Sequence, residues 1–352
     1  MPGKSFFQNI KNRVEKNPFL VGYFRALLGS NFVNNSAWYE RFCLWRARRL
    51  NKIRPFGTLR LNIETTLACN AQCIFCSRNS FRLRTGTMER ALYEKIIREA
   101  KALGVREVIL SVYGEPLIDK QFVPRCRLAD EAGLRISFFT NGSLLTEAVS
   151  RSLVELKKLS AVNFSINAFS PRLFKKVMVG LDRETVFANV RTFCQLKSRH
   201  RPDIEVTISY VLFKESLTEK SAFYSYFSKM PGVDKIYFPF IRNRGGTPLD
   251  IEMMDEAVEF SPLSKRGHRL LPCKFLWEDL FVYWNGTVGV CCEDSAARRI
   301  IVGDLTKQSL AEVWRGEKLR ALRNLHLSGR RKIHRVCGAV CSYNTAWLKP
   351  SG

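Results

Sequence analysis

From residue 58 onward the chain alternates between two hydrophobic rhythms. Six runs have the period-two, β-branched and aromatic character of strands: TLRLNIETT (58–66), REVILSVY (106–113), LRISFFTN (134–141), AVNFSINA (161–168), IEVTISYVLF (204–213) and KIYFPFI (235–241). Between them apolar residues recur at helical spacing, as in Leu92, Ile96, Ile97, Ala100 and Leu103. Strands that are each followed by a helix or its loop predict an α/β fold, a parallel sheet with right-handed crossovers. Ligands of such sheets gather beyond the carboxyl ends of the strands, so the residues that close each run are the first candidates for function.

The flanks read differently. Residues 1–56 predict a basic helical extension: SFFQNIKNRVEK, then SAWYERFCLWRARRL, ended by Pro55. In the second helix Trp38, Phe42 and Trp45 fall on one face, with Arg41, Arg48 and Arg49 around them. The expectation is that this aromatic face packs on its own domain and turns the arginines outward; a helix lying in a membrane interface is the alternative. After a core domain at 57–245, a break near GGTPLD (245–250) precedes a basic, cysteine-bearing segment at 265–352. That segment reads as a small second domain built on a hairpin, LFVYWNGTVGVCC, turned at Asn285-Gly286, and on the helical run SLAEVWRGEKLRALRNL.

Composition changes this picture in two places. The chain has 352 residues, 46% hydrophobic and 25% charged, which suits a globular protein with room for more than one domain. No run approaches the ~20 apolar residues that span a bilayer, and PFLVGYFRALL is interrupted by Arg25 without a cleavage signal. A cytoplasmic location is expected, with peripheral contact with a membrane left open. The net charge is +25, and residues 1–60 hold twelve Lys and Arg against two acids. Such asymmetry fits a polyanionic neighbour or a generally basic solvated surface, and both readings stand. Eleven cysteines, an odd number, argue against a pure disulfide framework. Cys43, Cys126 and Cys194 lie singly in helical runs and are expected to be buried apolar thiols.

The clustered cysteines carry chemistry. Cys69, Cys73 and Cys76 follow the first strand in CNAQCIFC. A structural zinc site needs four closed ligands, and no second pair lies near. Three thiolates on a four-iron cluster make better sense, because each binds one iron and the fourth iron is left for a ligand outside the protein.

This spacing, with Phe75 before the last cysteine, resembles the radical S-adenosylmethionine superfamily, and the resemblance runs over residues 58–241. It implies a partial (β/α)6 barrel. Gly114-Glu115-Pro116 resembles the motif that holds the methionyl amino group, with Tyr113 where the family has glycine; an extended backbone at Gly114 is expected to expose carbonyls. Thr140, Asn141, Ser165 and Asn167 occupy the places where the methionyl carboxylate and ribose are contacted. Backbone atoms of Phe75 and apolar residues near Ile208 and Val211 stand where adenine is held. The implied chemistry is one-electron reductive cleavage of S-adenosyl-L-methionine to methionine and a 5′-deoxyadenosyl radical, which takes hydrogen from a substrate. An electron donor such as flavodoxin or ferredoxin is implied with it.

Cys273, Cys291, Cys337 and Cys341, with a glycine at 286 five residues before Cys291, resemble the single-cluster form of the SPASM-type domain. They imply an auxiliary [4Fe–4S] cluster closed by four thiolates. Cys292 is the alternative to Cys291, the last pair is one residue wider than usual, and zinc is the alternative metal. No seven-cysteine run of the peptide-modifying kind occurs, and residues 1–56 show no strands of a peptide-recognising winged helix. The first expectation is therefore oxidation of a sugar- or cyclitol-like carbon, with the closed cluster accepting one electron. Maturation of a ribosomal peptide by epimerisation or crosslinking is the second. A nucleic-acid-associated iron–sulfur protein without radical catalysis is the third, and no specific nucleic acid is expected. Arg242, Arg244, Glu293 and Asp294 are nominated for substrate contacts.

Overall fold

The computed structural model describes residues 36–52, 59–81, 83–239, 241, 271–338 and 341. Two compact units divide the chain: residues 54–260 with 275–323, and residues 1–53 with 261–274 and 324–352.

The larger unit is built on six parallel strands, β1 Arg60–Ile63, β2 Glu107–Ile109, β3 Arg135–Thr140, β4 Leu159–Ser165, β5 Glu205–Ser209 and β6 Lys235–Tyr237. Each pairs with the next in sequence, as expected of successive right-handed crossovers. Helices Arg90–Leu103, Phe122–Glu131, Glu147–Val154 and Arg183–His200 fill the connections. Caps are written in the sequence: Thr146 and Asp182, and Ser170 before the short helix Pro171–Val177, each accept from a backbone N–H three residues on. The strands are shorter than the hydrophobic runs, because their last residues leave the ladder for the loops above the sheet. Single bonds persist beyond the ends, from Ile166 N–H to Ser209 O and from Tyr210 N–H to Tyr237 O.

The hairpin departs from expectation. β7 Asp279–Val282 pairs parallel to β1, and β8 Thr287–Gly289 and β9 Gly303–Asp304 follow antiparallel, giving one sheet ordered β6-β5-β4-β3-β2-β1-β7-β8-β9. The hairpin thereby covers the edge that β1 would otherwise leave unpaired. Its turn is a three-residue loop closed by Gly286 at φ +87°, the left-handed position that glycine takes without strain.

Register divides the sheet into two unlike faces. On one lie Leu61, Ile63, Val108, Ile136, Phe138, Val162, Phe164, Val206, Ile208, Leu280 and Val282, all buried. The helices cover this face: Phe138 meets Phe122 edge-on at 5.1 Å, and Phe164 meets Phe193 at 5.8 Å. The other face carries Arg60, Asn62, Glu107, Ser137, Asn163, Ser165, Thr207, Ser209 and Asp279, paired across strands by the same register. Purely parallel sheets covered on both sides read as continuous apolar runs; this one alternates because a single side is covered.

In the second unit helix Ala37–Lys52 buries Tyr39, Cys43 and Ala47, four residues apart, instead of its aromatic stripe. Trp38 and Trp45 are 66% and 55% exposed, so the expected packing of the aromatic face is corrected. The smaller side chains allow closer approach, and the large rings are left to stack on each other, Phe42 lying 6.0 Å from Trp38 and 6.1 Å from Trp45. Cys43, Cys126 and Cys194 are buried, as expected.

A stability comparison checks both readings. Phe164→Ala is expected to cost about 3–5 kcal/mol through the cavity it leaves. Trp38→Ala should stay within about 0.5 kcal/mol of wild type. Urea unfolding of the two variants measures the difference, and a comparable loss in both would mean that Trp38 is packed.

Candidate functional site

Above the carboxyl end of β1 the chain runs into the cysteine loop, and three neighbouring segments brace it. The Gln72 and Ile74 N–H groups donate to Val179 O and Val177 O at 2.8 and 3.2 Å. Arg78 donates to Ala71 O and Asn79 to Cys73 O, closing the loop on itself. Cys73 Sγ lies 3.7 Å from Met178 Sδ. The three cysteines are half-buried, and burial pushes the Cys73 thiol up to about 12, with Cys76 and Cys69 adding to the rise. Cys69 is raised too, first by burial. Among the described residues no three His, Cys, Asp or Glu side chains are grouped to share one metal ion. A four-iron cluster makes no such demand, since each thiolate takes its own iron. Thiols that resist ionisation here, near one another and with no fourth cysteine in the loop, suit a site whose metal supplies the positive charge.

The second motif is fastened to this loop through its backbone. The Glu115 N–H donates to Ala68 O at 2.8 Å, and Gly114 adopts φ +82°. The expected extended backbone is thus corrected to a left-handed one. A Cβ at Gly114 would stand 2.5 Å from Thr66 O and 2.7 Å from Ala68 O, so only glycine permits the approach. The Glu115 side chain is buried and ties the end of β3 to the same point. It accepts from Thr140 Oγ1 at 2.8 Å, Asn141 N–H at 2.7 Å and Leu117 N–H at 3.2 Å. Burial pushes its carboxyl up to about 7, against the pull of those donors. Pro116 is buried in the short turn that follows.

The remaining expected residues fall into two groups. Thr140 and Asn141 are gathered with Glu115 and the cysteine loop: Asn141 Nδ2 donates to Asn70 Oδ1, and Asn141 Oδ1 accepts from Ser143. Ser165 closes β4 on the polar face, half-buried, whereas Asn167 lies past the strand end with its carboxamide turned to Val211 N–H and Met178 Sδ. Phe75 packs at 6.0 Å from Phe213. Ile208 itself pairs with Phe164 on the helix-covered face. Asp294 holds Arg299 and the Ile300 N–H, and with Glu293 it is buried rather than solvated at the hairpin end. Arg242 and Arg244 lie outside the described residues.

Glu64 was not singled out from the sequence, although a carboxylate closing β1 just before the cysteine loop was a signal. It is wholly buried, with Nη2 of Arg298 donating to both carboxylate oxygens at 2.7 and 2.9 Å and the Trp284 backbone N–H donating at 3.3 Å. Burial raises its carboxyl to about 7 even so. Arg298 itself stacks over Tyr283 at 4.1 Å, so the pair fastens the hairpin to the strand that leads to the cysteines.

Of the auxiliary cysteines, Cys273, Cys337 and Cys341 belong to the smaller unit and Cys291 to the larger. In the smaller unit Arg331 is buried, with Nη2 donating to Cys341 Sγ at 3.2 Å and Nη1 to Leu271 O at 2.7 Å. The backbone N–H groups of Cys273 and Cys337 donate to Nδ1 of His326 and His334. Burial drives His326 down to about 2, leaving it neutral as an acceptor.

Comparison with known proteins identifies the two regions that carry these cysteines. Residues 63–221 match the family model of the radical SAM superfamily, and residues 273–342 match SPASM, an iron–sulfur cluster-binding domain. A probable GTP 3′,8-cyclase of Methanothermobacter thermautotrophicus is 39% identical over 123 residues, 35% of this chain and 39% of the relative, so the match spans about two fifths of that relative's length. Among solved structures, BtrN in complex with AdoMet and 2-DOIA superposes with a TM-score of 0.51 at 19% identity, covering 82% of this chain and 97% of BtrN. Streptococcus suis SuiB bound to precursor peptide SuiA gives 0.59 at 17% identity, covering 80% and 69%. These likenesses show a shared fold.

The Glu115 carboxyl generates a pH prediction. The folded chain keeps its proton where the unfolded chain has lost it, so stability falls as pH rises from about 4.5 to about 7. The whole fall is on the order of 3 kcal/mol for this one group. Glu115→Gln removes that contribution while Glu64 remains in both proteins. Urea midpoints at about pH 5 and about pH 8 should therefore drop more in wild type than in the variant. Equal drops would mean that the donors keep Glu115 ionised throughout.

Proposed function

This chain belongs to the radical SAM superfamily and carries a C-terminal SPASM domain, and from that premise we propose that it oxidises a hydroxyl-bearing carbon of a small polar molecule. When bound, S-adenosyl-L-methionine and the [4Fe–4S] cluster together supply a radical that takes a hydrogen atom from substrate. Cys69, Cys73 and Cys76 would each hold one iron. Gly114, Glu115 and Pro116 would present backbone to the methionyl amino group, with Thr140, Asn141, Ser165 and Asn167 toward its carboxylate and ribose and Phe75 toward adenine. Glu115, being spent on Thr140 and Asn141, acts by holding those two residues rather than by touching a ligand. Cys273, Cys291, Cys337 and Cys341 would close the auxiliary cluster, so that it trades electrons and binds no substrate.

The observation that carries this reading is the helix-free face of the sheet. Toward the carboxyl ends of β4 and β5 Ser209 donates to Asn163 and pairs by register with Ser165, while the pairs of Arg60 and Asn62 with Asp279 and of Ser137 with Glu107 lie toward the amino ends of their strands. Hydroxyl and carboxamide groups on the cysteine-loop side suit the hydroxyls of a substrate, which can exchange for those partners at little loss. An alcohol that has given up hydrogen from carbon needs only to lose one proton and one electron to become a carbonyl, and an auxiliary cluster held by four cysteines would be the place for that electron.

Iron and sulfide analysis of the anaerobically reconstituted protein is expected to give about eight irons, falling to about four in a Cys69/Cys73/Cys76→Ala variant. After dithionite, deoxyadenosine should come from wild type alone. Its yield should rise with the ultrafiltrate of a cell extract; a rise only with the retained, peptide-containing fraction would favour peptide maturation instead. One zinc with about four irons would remove the electron acceptor and with it the oxidation.

The chain also presents a membrane-facing surface on helix Ala37–Lys52, with an anionic lipid bilayer as its partner. Exposed Trp38 and Trp45 flank half-buried Phe42, and Arg41, Arg48 and Arg49 are exposed beside them, the Arg49 guanidinium lying 5.4 Å over Trp45. Tryptophan rings with snorkelling arginines suit the headgroup layer. No described helix is long and apolar enough to cross a membrane. Vesicles containing phosphatidylserine should sediment the protein, and phosphatidylcholine vesicles should not. Arg48→Glu/Arg49→Glu should weaken binding at least several-fold, at about 1 kcal/mol per arginine. Binding unchanged by these substitutions or by Trp38→Ala/Trp45→Ala would remove the helix from the contact.

A further inference from the structure

The smaller unit places a permanent positive charge against a cysteine sulfur. Arg331 is 1% exposed, starts the short 3-10 turn Arg331–Ile333, and stands ten residues before Cys341, to whose Sγ it donates at 3.2 Å. Its other arm is fixed on Leu271 O, two residues before Cys273. The guanidinium is thus held from both sides in a pocket that shares its walls with three cysteines. The cysteines around the guanidinium have contacts of their own: the backbone N–H groups of Cys273 and Cys337 donate to Nδ1 of His326 and His334.

We infer that Arg331 sets the reduction potential of the auxiliary cluster, holding it high enough for the cluster to accept an electron from a substrate radical. The inference rests on the proposed auxiliary cluster and deepens it. An electron entering a thiolate-ligated cluster adds one unit of negative charge, and a buried cation within hydrogen-bond reach of a ligating sulfur stabilises the more negative form. In water the effect would be screened; in a pocket without solvent it is not. The electron balance is closed: the substrate carbon gives up one electron as its hydroxyl loses a proton, the cluster gains that electron, and a flavodoxin- or ferredoxin-class carrier removes it afterwards. Arg331 is a positioning residue in this scheme, since it touches the cysteine and not the substrate. A merely structural arginine would brace Leu271 equally well and leave the potential unmoved.

The test is a redox titration followed by electron paramagnetic resonance, in a Cys69/Cys73/Cys76→Ala background where only the auxiliary cluster contributes. Arg331→Gln is expected to shift the midpoint to a more negative potential, and Arg331→Lys, which keeps the charge, to shift it less. Arg331→Met serves in place of the glutamine variant should that lose its iron. A neutral variant with full iron and the parent midpoint overturns the inference, as does an equal shift in the lysine and neutral variants. A parent protein without any auxiliary signal overturns both this inference and the cluster on which it rests. A normal Arg331 effect in a protein whose wild type releases no deoxyadenosine leaves the inference standing and removes the catalytic reading.

Discussion

A parallel sheet covered by helices on one side only must keep two different chemistries on alternate residues of every strand. That constraint governs this protein. Val108, Ile136, Phe138, Val162, Phe164, Val206 and Ile208 point into the helical layer, and their neighbours along each strand point away from it. A slip of one residue in any pair would drive Asn163 or Thr207 beneath the helices and lift phenylalanines into water. The register is therefore fixed by burial, and with it the height at which each strand ends. Functional residues at those ends inherit their positions from apolar packing on the other side of the sheet.

Two buried carboxylates convert that alignment into a site. Glu115 gathers the ends of β2 and β3, and its own N–H reaches the chain leading to the cysteines. Glu64 anchors the end of β1 to Trp284 in the hairpin turn and to Arg298 beyond the hairpin. Burying either carboxylate is costly unless donors converge on it; backbone N–H groups supply them at both, joined by Thr140 Oγ1 at Glu115 and by one guanidinium nitrogen at Glu64. The result is rigidity at the expense of stability, an exchange common where ligands must be held in one geometry. Gly114 makes the exchange possible, since any Cβ there would push away the two carbonyls it lies against.

Much of this could be read in the chain. The six strands, their order and the cysteine loop follow from alternation, from helical spacing and from three closely set thiols, all local signals. What stays hidden depends on contacts distant in sequence. Gly114 reads as extended because no local signal reveals that Thr66 and Ala68 crowd it. The hairpin at Asn285-Gly286 was recognisable as a hairpin, but nothing in 279–304 announces that β1 has a vacant edge. The helix Ala37–Lys52 failed differently: it has two candidate faces, and amphipathicity favours the larger rings, whereas burial takes the narrower Tyr39, Cys43 and Ala47 stripe.

The two cysteine sets also differ in how their surroundings handle charge. Around Cys69, Cys73 and Cys76 burial and mutual proximity oppose ionisation, with Arg78 spending an arm on Ala71 O. Around Cys273, Cys337 and Cys341 a buried guanidinium is bonded to sulfur. Positive charge beside thiolates favours whichever cluster state is more negative. Arg78 also lies near enough to favour the Cys69 and Cys73 thiolates, but its printed hydrogen bond goes to a backbone carbonyl and not to sulfur. A guanidinium bonded directly to Cys341 Sγ is the surrounding that the proposed electron flow from substrate to an auxiliary cluster would require.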